Sequence, residues 1–103
     1  MKITKTNIDG LIIIEPQIFK DDRGSFFESW NVKNFQDIGI KDNFVQDNQS
    51  SSSKGVLRGL HFQNPPYAQA KLVRVIKGSV LDVAVDLRSN SPTYGKHYSI
   101  VLS

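Results

Sequence analysis

The strongest pattern along the chain is the run SVLDVAVDLR, residues 79–88. Leu81, Val83, Val85 and Leu87 fall on one face of an extended strand, and Asp82, Ala84 and Asp86 on the other. Weaker runs of the same kind predict further strands. KITKTNI and GLIIIEPQIF flank an Asp9-Gly10 hairpin turn, and SFFESW follows the DDRG turn at 21–24. FVQDNQ places Gln46 and Asn48 on one face. VLRGLHFQ and AKLVRVIKG flank the two-proline turn NPPYAQ, and HYSIVLS follows the loop SNSPTYGK. In one place the period changes. Val32, Phe35 and Ile38 recur at helical spacing, Asn31 stands where a helix cap belongs and Gly39 where a stop belongs, so a short helix is predicted over 32–38. About eight strands with turns every 8–12 residues predict an all-β jelly-roll barrel or sandwich. The serines at 50–53 form a polar loop too short to divide it, so residues 1–103 form a single domain. The last strand runs to the final residue with no polar tail. An open strand edge invites association, so the expectation is that a partner chain covers it or that the sequence is part of a longer protein.

Composition adds limits. A chain of 103 residues is one domain at most. Charged residues at 22% and hydrophobic residues at 39% are ordinary for a globular protein. The net charge of +3 suits an anionic ligand, but the cations alternate with acids, which argues against a nucleic-acid surface. The absence of cysteine removes disulfides, thiolate metal sites and cysteine nucleophiles, and it fits a cytoplasmic setting. Leu11 to Ile14 is the longest apolar run near the N-terminus, too short for a signal peptide or a membrane span.

The strand SKGVLRGLHFQ and its successor carry Arg58, His61 and Lys71 among apolar residues. A buried guanidinium without an anionic partner is very costly. With Asp82 and Asp86 on the polar side of the next strand, the set allows a carboxylate-oriented histidine beside a lysine. That is a layout for a general base and a stabiliser of a developing oxyanion. For Asp86 the expectation is a structural hydrogen-bonding role. A metal centre is disfavoured, because Phe62 and Gln63 follow His61 and the other histidine, His97, is remote. The loop serines lack a nucleophile elbow, and no glycine-rich phosphate loop precedes a helix. Alternation places Arg58 and His61 on opposite faces, so both reach one pocket only if the strand breaks its period at Gly59.

The segments DDRGSFFESW, QDNQSSSSKGVLRGLHFQNPPYAQAKLVRVIKGSVLDVAVDLRSNSPTYGK and SIVLS together resemble the dTDP-4-dehydrorhamnose 3,5-epimerase family. The likeness runs from about Leu11 to Ser103. It implies a cupin-type jelly roll, partial in this chain, and an activity that needs no metal or organic cofactor. The substrate implied is dTDP-4-dehydro-6-deoxy-D-glucose, with C3 and C5 inverted on the way to dTDP-L-rhamnose. By the same resemblance His61 is the proton-abstracting base, Lys71 stabilises the enolate oxygen, and Asp82 orients His61. Arg23 and Arg58 match diphosphate-holding positions, Glu28, Gln46 and Asn48 nucleotide-contacting ones, and Phe19 and Phe26 flank the thymine. The family implies a homodimer through its N-terminal strands, with no nucleic-acid or membrane partner.

Family members continue beyond the point matching Ser103, and their general-acid tyrosine lies there. Tyr94 and Tyr98 do not match it, so the expectation is a C-terminally truncated chain, inactive or severely impaired alone. Two readings stay open beside the epimerase: a nucleotide-sugar-binding cupin without full catalysis, and a related mono-epimerase or 3,4-ketoisomerase.

Overall fold

The computed structural model describes residues 1–103 in full. The elements, in chain order, are strands β1 (Lys2–Lys5), β2 (Ile12–Glu15), β3 (Ile18–Asp21) and β4 (Gly24–Phe27), helix α1 (Val32–Asp37), and strands β5 (Val80–Val85) and β6 (His97–Leu102). They form three separate antiparallel hairpins, β1–β2, β3–β4 and β5–β6, and each strand packs only on its hairpin partner. The architecture is a partial all-β fold with one short helix, and no barrel closes within it. No helix is long and apolar enough to cross a membrane.

The first hairpin turns where Asp9 and Gly10 predict it. Gly10 takes φ 84°, a value that costs a residue with a Cβ. Thr6 closes the turn: its backbone N–H and its hydroxyl both donate to the Leu11 carbonyl, and the Ile8 N–H donates to its Oγ1. The predicted strand GLIIIEPQIF is divided. Pro16 lacks a backbone N–H and separates β2 from β3. Helix α1 begins as expected, with Asn31 Oδ1 accepting from the Asn34 N–H at 3.0 Å, and ends before Gly39 at φ 90°. Phe35 on this helix is buried, and Trp30 meets both Phe35 and Phe44 edge-on at centroid distances of 6.4 Å.

Three predicted strands have no ladder. FVQDNQ (44–49), VLRGLHFQ (56–63) and AKLVRVIKG (70–78) pair with nothing in the chain. Alternation signals a half-buried strand, but a ladder also needs a neighbour, and the described residues supply none here. From residue 41 to residue 79 the only backbone–backbone hydrogen bonds are Val56 N–H to Ser53 O and Tyr67 N–H to Asn64 O, both turns. The apolar side chains of this stretch are correspondingly open, with Leu57 90% and Leu60 71% exposed. The chain exposes 9291 Å², against about 5,800 Å² for a folded monomer of this mass. Its radius of gyration is 15.3 Å, against about 13 Å for a compact chain of this length.

The best-anchored part is the β5–β6 hairpin. On β5 the half-buried side chains are Asp82, Ala84 and Val85, while Val80, Leu81 and Val83 are exposed. The apolar stripe that made this strand legible is therefore largely exposed. Asp86, just past β5, is one of three buried residues, with Ile8 and Phe35. Its carboxylate accepts from Arg88 Nε at 2.9 Å, Ser91 Oγ at 2.5 Å and Thr93 Oγ1 at 2.6 Å. The Arg88 fork also donates to the Asp9 carbonyl at 2.9 Å, tying this hairpin to the β1–β2 turn. Asp86 thus has the structural role expected of it.

The Arg88 guanidinium, followed by the Ser91 and Thr93 hydroxyls, holds the Asp86 carboxyl well below the usual carboxylate range. A depressed folded-state pKa gives stability that is present above about pH 4 and is lost as the pH falls below it. We predict that the hairpin amides of residues 80–102 stay protected from hydrogen exchange at neutral pH and lose protection on acidification. In Asp86→Asn they should exchange roughly tenfold faster or more at pH 7, because the amide cannot accept all these bonds. Unchanged protection in Asp86→Asn would remove this network from the account.

Candidate functional site

The β3–β4 hairpin is the best-formed part of the candidate site. Phe19 and Phe26 stand directly opposite each other in the register, so their side chains leave the same face. They are 56% and 71% exposed, an unfavourable setting for large rings unless something covers them. Both line two adjoining clefts. The larger, about 450 Å³, is completed by Lys20, Asp21, Arg23, Gly24 and Ser25. The smaller, about 280 Å³, is completed by Met1, Pro16, Gln17, Glu28 and Asn34.

Arg23 sits at the tip of the β3–β4 turn and folds back on Asp21, with Nε 3.1 Å and NH2 2.6 Å from Oδ2. The Asp21 carboxyl is lowered by the Arg23 guanidinium, and the Arg23 pKa is raised in return. Both groups are largely open to solvent, so the pair holds the arginine in place and an anion can still approach its outer edge. Glu28 follows β4 and is held from the helix: Asn34 Nδ2 donates to Oε1 at 2.8 Å and Asn31 Nδ2 to Oε2 at 3.3 Å. Beyond the capping role of Asn31, nothing in the residue pattern signals this use of the two asparagines.

The remaining candidates lie mainly in the unpaired stretch. Gln46 and Asn48 do come together, Gln46 Nε2 donating to Asn48 Oδ1 at 3.3 Å. Arg58 donates to Ser52 Oγ at 2.9 Å and to the Ser51 carbonyl at 3.1 Å, so the serine loop is tied to the strand that follows it. His61 and Lys71 are exposed and Asp82 is half-buried on β5. No hydrogen bond or ion pair joins these three to one another. Between Arg58 and His61 the backbone departs from extended geometry at Gly59, with φ 129°. No group of three or more His, Cys, Asp or Glu side chains is placed to hold a metal ion.

The structure brings together an aromatic cleft, a carboxylate at its rim and Arg23; Arg58, His61 and Lys71 lie outside the residues that line it. Stacking rings suit a nucleobase and guanidinium forks suit a diphosphate.

Comparison with known proteins agrees with this chemistry. The family model described as dTDP-4-dehydrorhamnose 3,5-epimerase matches residues 5–103. The protein of that name from Shigella flexneri is 56% identical over 104 residues, covering 100% of this chain and 58% of its own. Among solved structures, the dTDP-4-dehydrorhamnose 3,5-epimerase of Bacillus anthracis, with TDP and PPi bound, superposes with a TM-score of 0.95 at 47% identity, covering 99% of this chain and 59% of its own. The dTDP-6-deoxy-D-glucose-3,5-epimerase of Legionella pneumophila, in complex with dTDP-4-keto-L-rhamnose, gives 0.93 at 53% identity, covering 99% and 54%. The chain spans little more than half the length of the relatives it matches, and follows their path throughout, including the stretch without ladder partners.

Gly59 is testable by itself. A Cβ there would meet only His61 backbone N at 3.9 Å and Nδ1 at 4.0 Å, so the cost of a side chain comes from φ and not from crowding. Gly59→Ala should disfavour the local conformation by about 1–2 kcal/mol and weaken nucleotide binding that uses Arg58. Calorimetric titration with dTDP checks this. Wild-type affinity in Gly59→Ala would show that the turn at Gly59 does not matter to the site.

Proposed function

The chain belongs to the dTDP-4-dehydrorhamnose 3,5-epimerase family, and from that membership we propose that it carries the base and the nucleotide grip of an enzyme that epimerises C3 and C5 of dTDP-4-dehydro-6-deoxy-D-glucose. The observation that carries this reading is the family match over residues 5–103, within which every candidate residue lies.

The chemistry follows from the substrate. C3 and C5 both flank the C4 ketone, so loss of either proton gives an enolate delocalised onto the carbonyl oxygen. His61 removes the proton as the general base. Lys71 faces the enolate oxygen with an ammonium charge that counts for more once the bound sugar excludes water. On the family reading Asp82 orients His61 and favours the imidazolium that forms, a contact that residues 1–103 do not make by themselves. Reprotonation from the opposite face inverts the centre. A donor for that step has no candidate among residues 1–103. Such a mechanism needs no metal or organic cofactor, because the ketone is itself the electron sink.

The nucleotide is held apart from the reacting ring. Phe19 and Phe26 flank the thymine, Glu28, Gln46 and Asn48 contact the nucleoside, and Arg23 and Arg58 clasp the diphosphate. This grip restricts the keto sugar to the neighbourhood of His61 and turns proton removal into an effectively intramolecular event. The protein works in the cytoplasm on a freely diffusing nucleotide sugar. It is a homodimer in which the open edges of its hairpins meet a second copy, and strands from further chain pair with residues 44–49, 56–63 and 70–78. The ladder positions left open there support that reading.

Incubating the protein with the keto sugar in deuterium oxide tests the proposal by NMR. Deuterium should enter at C3 or C5, and His61→Ala should slow its entry by about 10²–10⁴-fold while dTDP still binds. Arg58→Ala should weaken dTDP binding by about tenfold or more, the loss of a charge-assisted hydrogen-bonding group. Tight dTDP binding with no deuterium exchange in the wild type would instead favour a nucleotide-sugar-binding module.

A further inference from the structure

The cleft beside Phe19 and Phe26 carries a feature that the family reading leaves unused. Glu28 is a surface carboxylate on a chain segment with no ladder partner. An unrestrained glutamate samples many rotamers and makes a poor reader of a ligand edge. Here both oxygens are engaged. Asn34 Nδ2 donates to Oε1 at 2.8 Å, and Asn31 Nδ2 donates to Oε2 at 3.3 Å. Asn31 is in turn fixed by its own cap bond, Oδ1 accepting from the Asn34 N–H at 3.0 Å. The cap therefore does two things: it starts the helix, and it aims both amides at one carboxylate. Asn34 and Glu28 then line the same cleft as the two phenylalanines.

We propose that Asn31 and Asn34 are positioning residues that lock the Glu28 carboxylate as a fixed hydrogen-bond acceptor at the rim of the Phe19–Phe26 cleft, selecting nucleobases that present an N–H on their pairing edge. This rests on the reading of Glu28 as a nucleotide-contacting residue. Each carboxylate oxygen has two lone-pair sites. One asparagine bond per oxygen leaves capacity on both for a ligand donor. Thymine and uracil carry an imide N3–H flanked by carbonyls, which meets such an acceptor directly. Cytosine presents a ring-nitrogen lone pair at the same place, and two acceptors facing each other leave both without a donor. The asparagines do not touch the base. They act by holding Glu28 where only the donor edge fits, so their loss should change selectivity before it changes the grip on the diphosphate.

The test is a set of titrations of the protein with dTDP, dCDP, N3-methyl-dTDP and inorganic pyrophosphate. The wild type should prefer dTDP over dCDP and over the N3-methylated analogue by about tenfold or more, the scale of one unpaired polar group. Asn34→Ala should reduce both preferences towards unity and leave pyrophosphate affinity unchanged. Asn34→Asp keeps the shape of the side chain but sets an acceptor against Glu28, and it should do the same more strongly. Pyrophosphate binding reports that the variant is folded, since a merely structural defect would weaken all four ligands together. Full base selectivity in both Asn34 variants overturns the inference and leaves the proposed function standing. A wild type that binds none of the four overturns both.

Discussion

A strand is stable only when the backbone N–H and C=O groups along it find partners. That requirement governs this molecule more than any single side chain does. Residues 41–79 run nearly without backbone hydrogen bonds, yet they follow the path taken by solved relatives that carry considerably more chain. Gln46, Asn48, Arg58, His61 and Lys71 all lie in that stretch. This part of the candidate site is therefore built on backbone with almost no hydrogen-bond partners among residues 1–103. Candidate chemistry and unpaired backbone coincide in one segment.

The nucleotide end is built differently. Phe19 and Phe26 are fixed by a four-pair hairpin register, Arg23 by its own turn through Asp21, and Glu28 by two asparagines on the adjacent helix. Each of these restraints is local in sequence. The most distant polar tie, Arg88 to the Asp9 carbonyl, joins the β5–β6 hairpin to the β1–β2 turn and leaves the site itself untouched. The result is a division of the site into a part that short-range interactions organise, at Phe19, Arg23, Phe26 and Glu28, and a part that they do not, at Gln46, Asn48, Arg58, His61 and Lys71. The nucleotide grip draws on both parts, whereas the base and its cation lie wholly in the second.

What the sequence made legible follows the same division. The Asp9-Gly10 turn, the Asn31 cap, the stop at Gly39 and the break at Gly59 depend on one or two residues each, and all could be read directly. The strands predicted at 44–49, 56–63 and 70–78 rested on alternation alone and do not form among residues 1–103, because a ladder is a relation between two segments and alternation says nothing about where the second lies. The face of β5 was misleading for a related reason. Leu81 and Val83 mark the side with the larger apolar area, but that side is open here, while Asp82 and Ala84 are the more covered. The family could be named from the long motif around Arg58, His61 and Lys71. The hold of Asn34 on Glu28 could not, because it depends on how a six-residue helix docks beside the end of β4.

The segment bearing His61 and Lys71 has no ladder partner among residues 1–103, and its two backbone bonds both close turns. Residue-resolved amide hydrogen exchange on the 103-residue chain tests this most directly. The account requires amides 56–63 and 70–77 to exchange at close to unprotected rates while those of the β5–β6 ladder exchange far more slowly. Strong protection across 56–77 in that chain would mean that these residues find their partners within it, and would contradict the account.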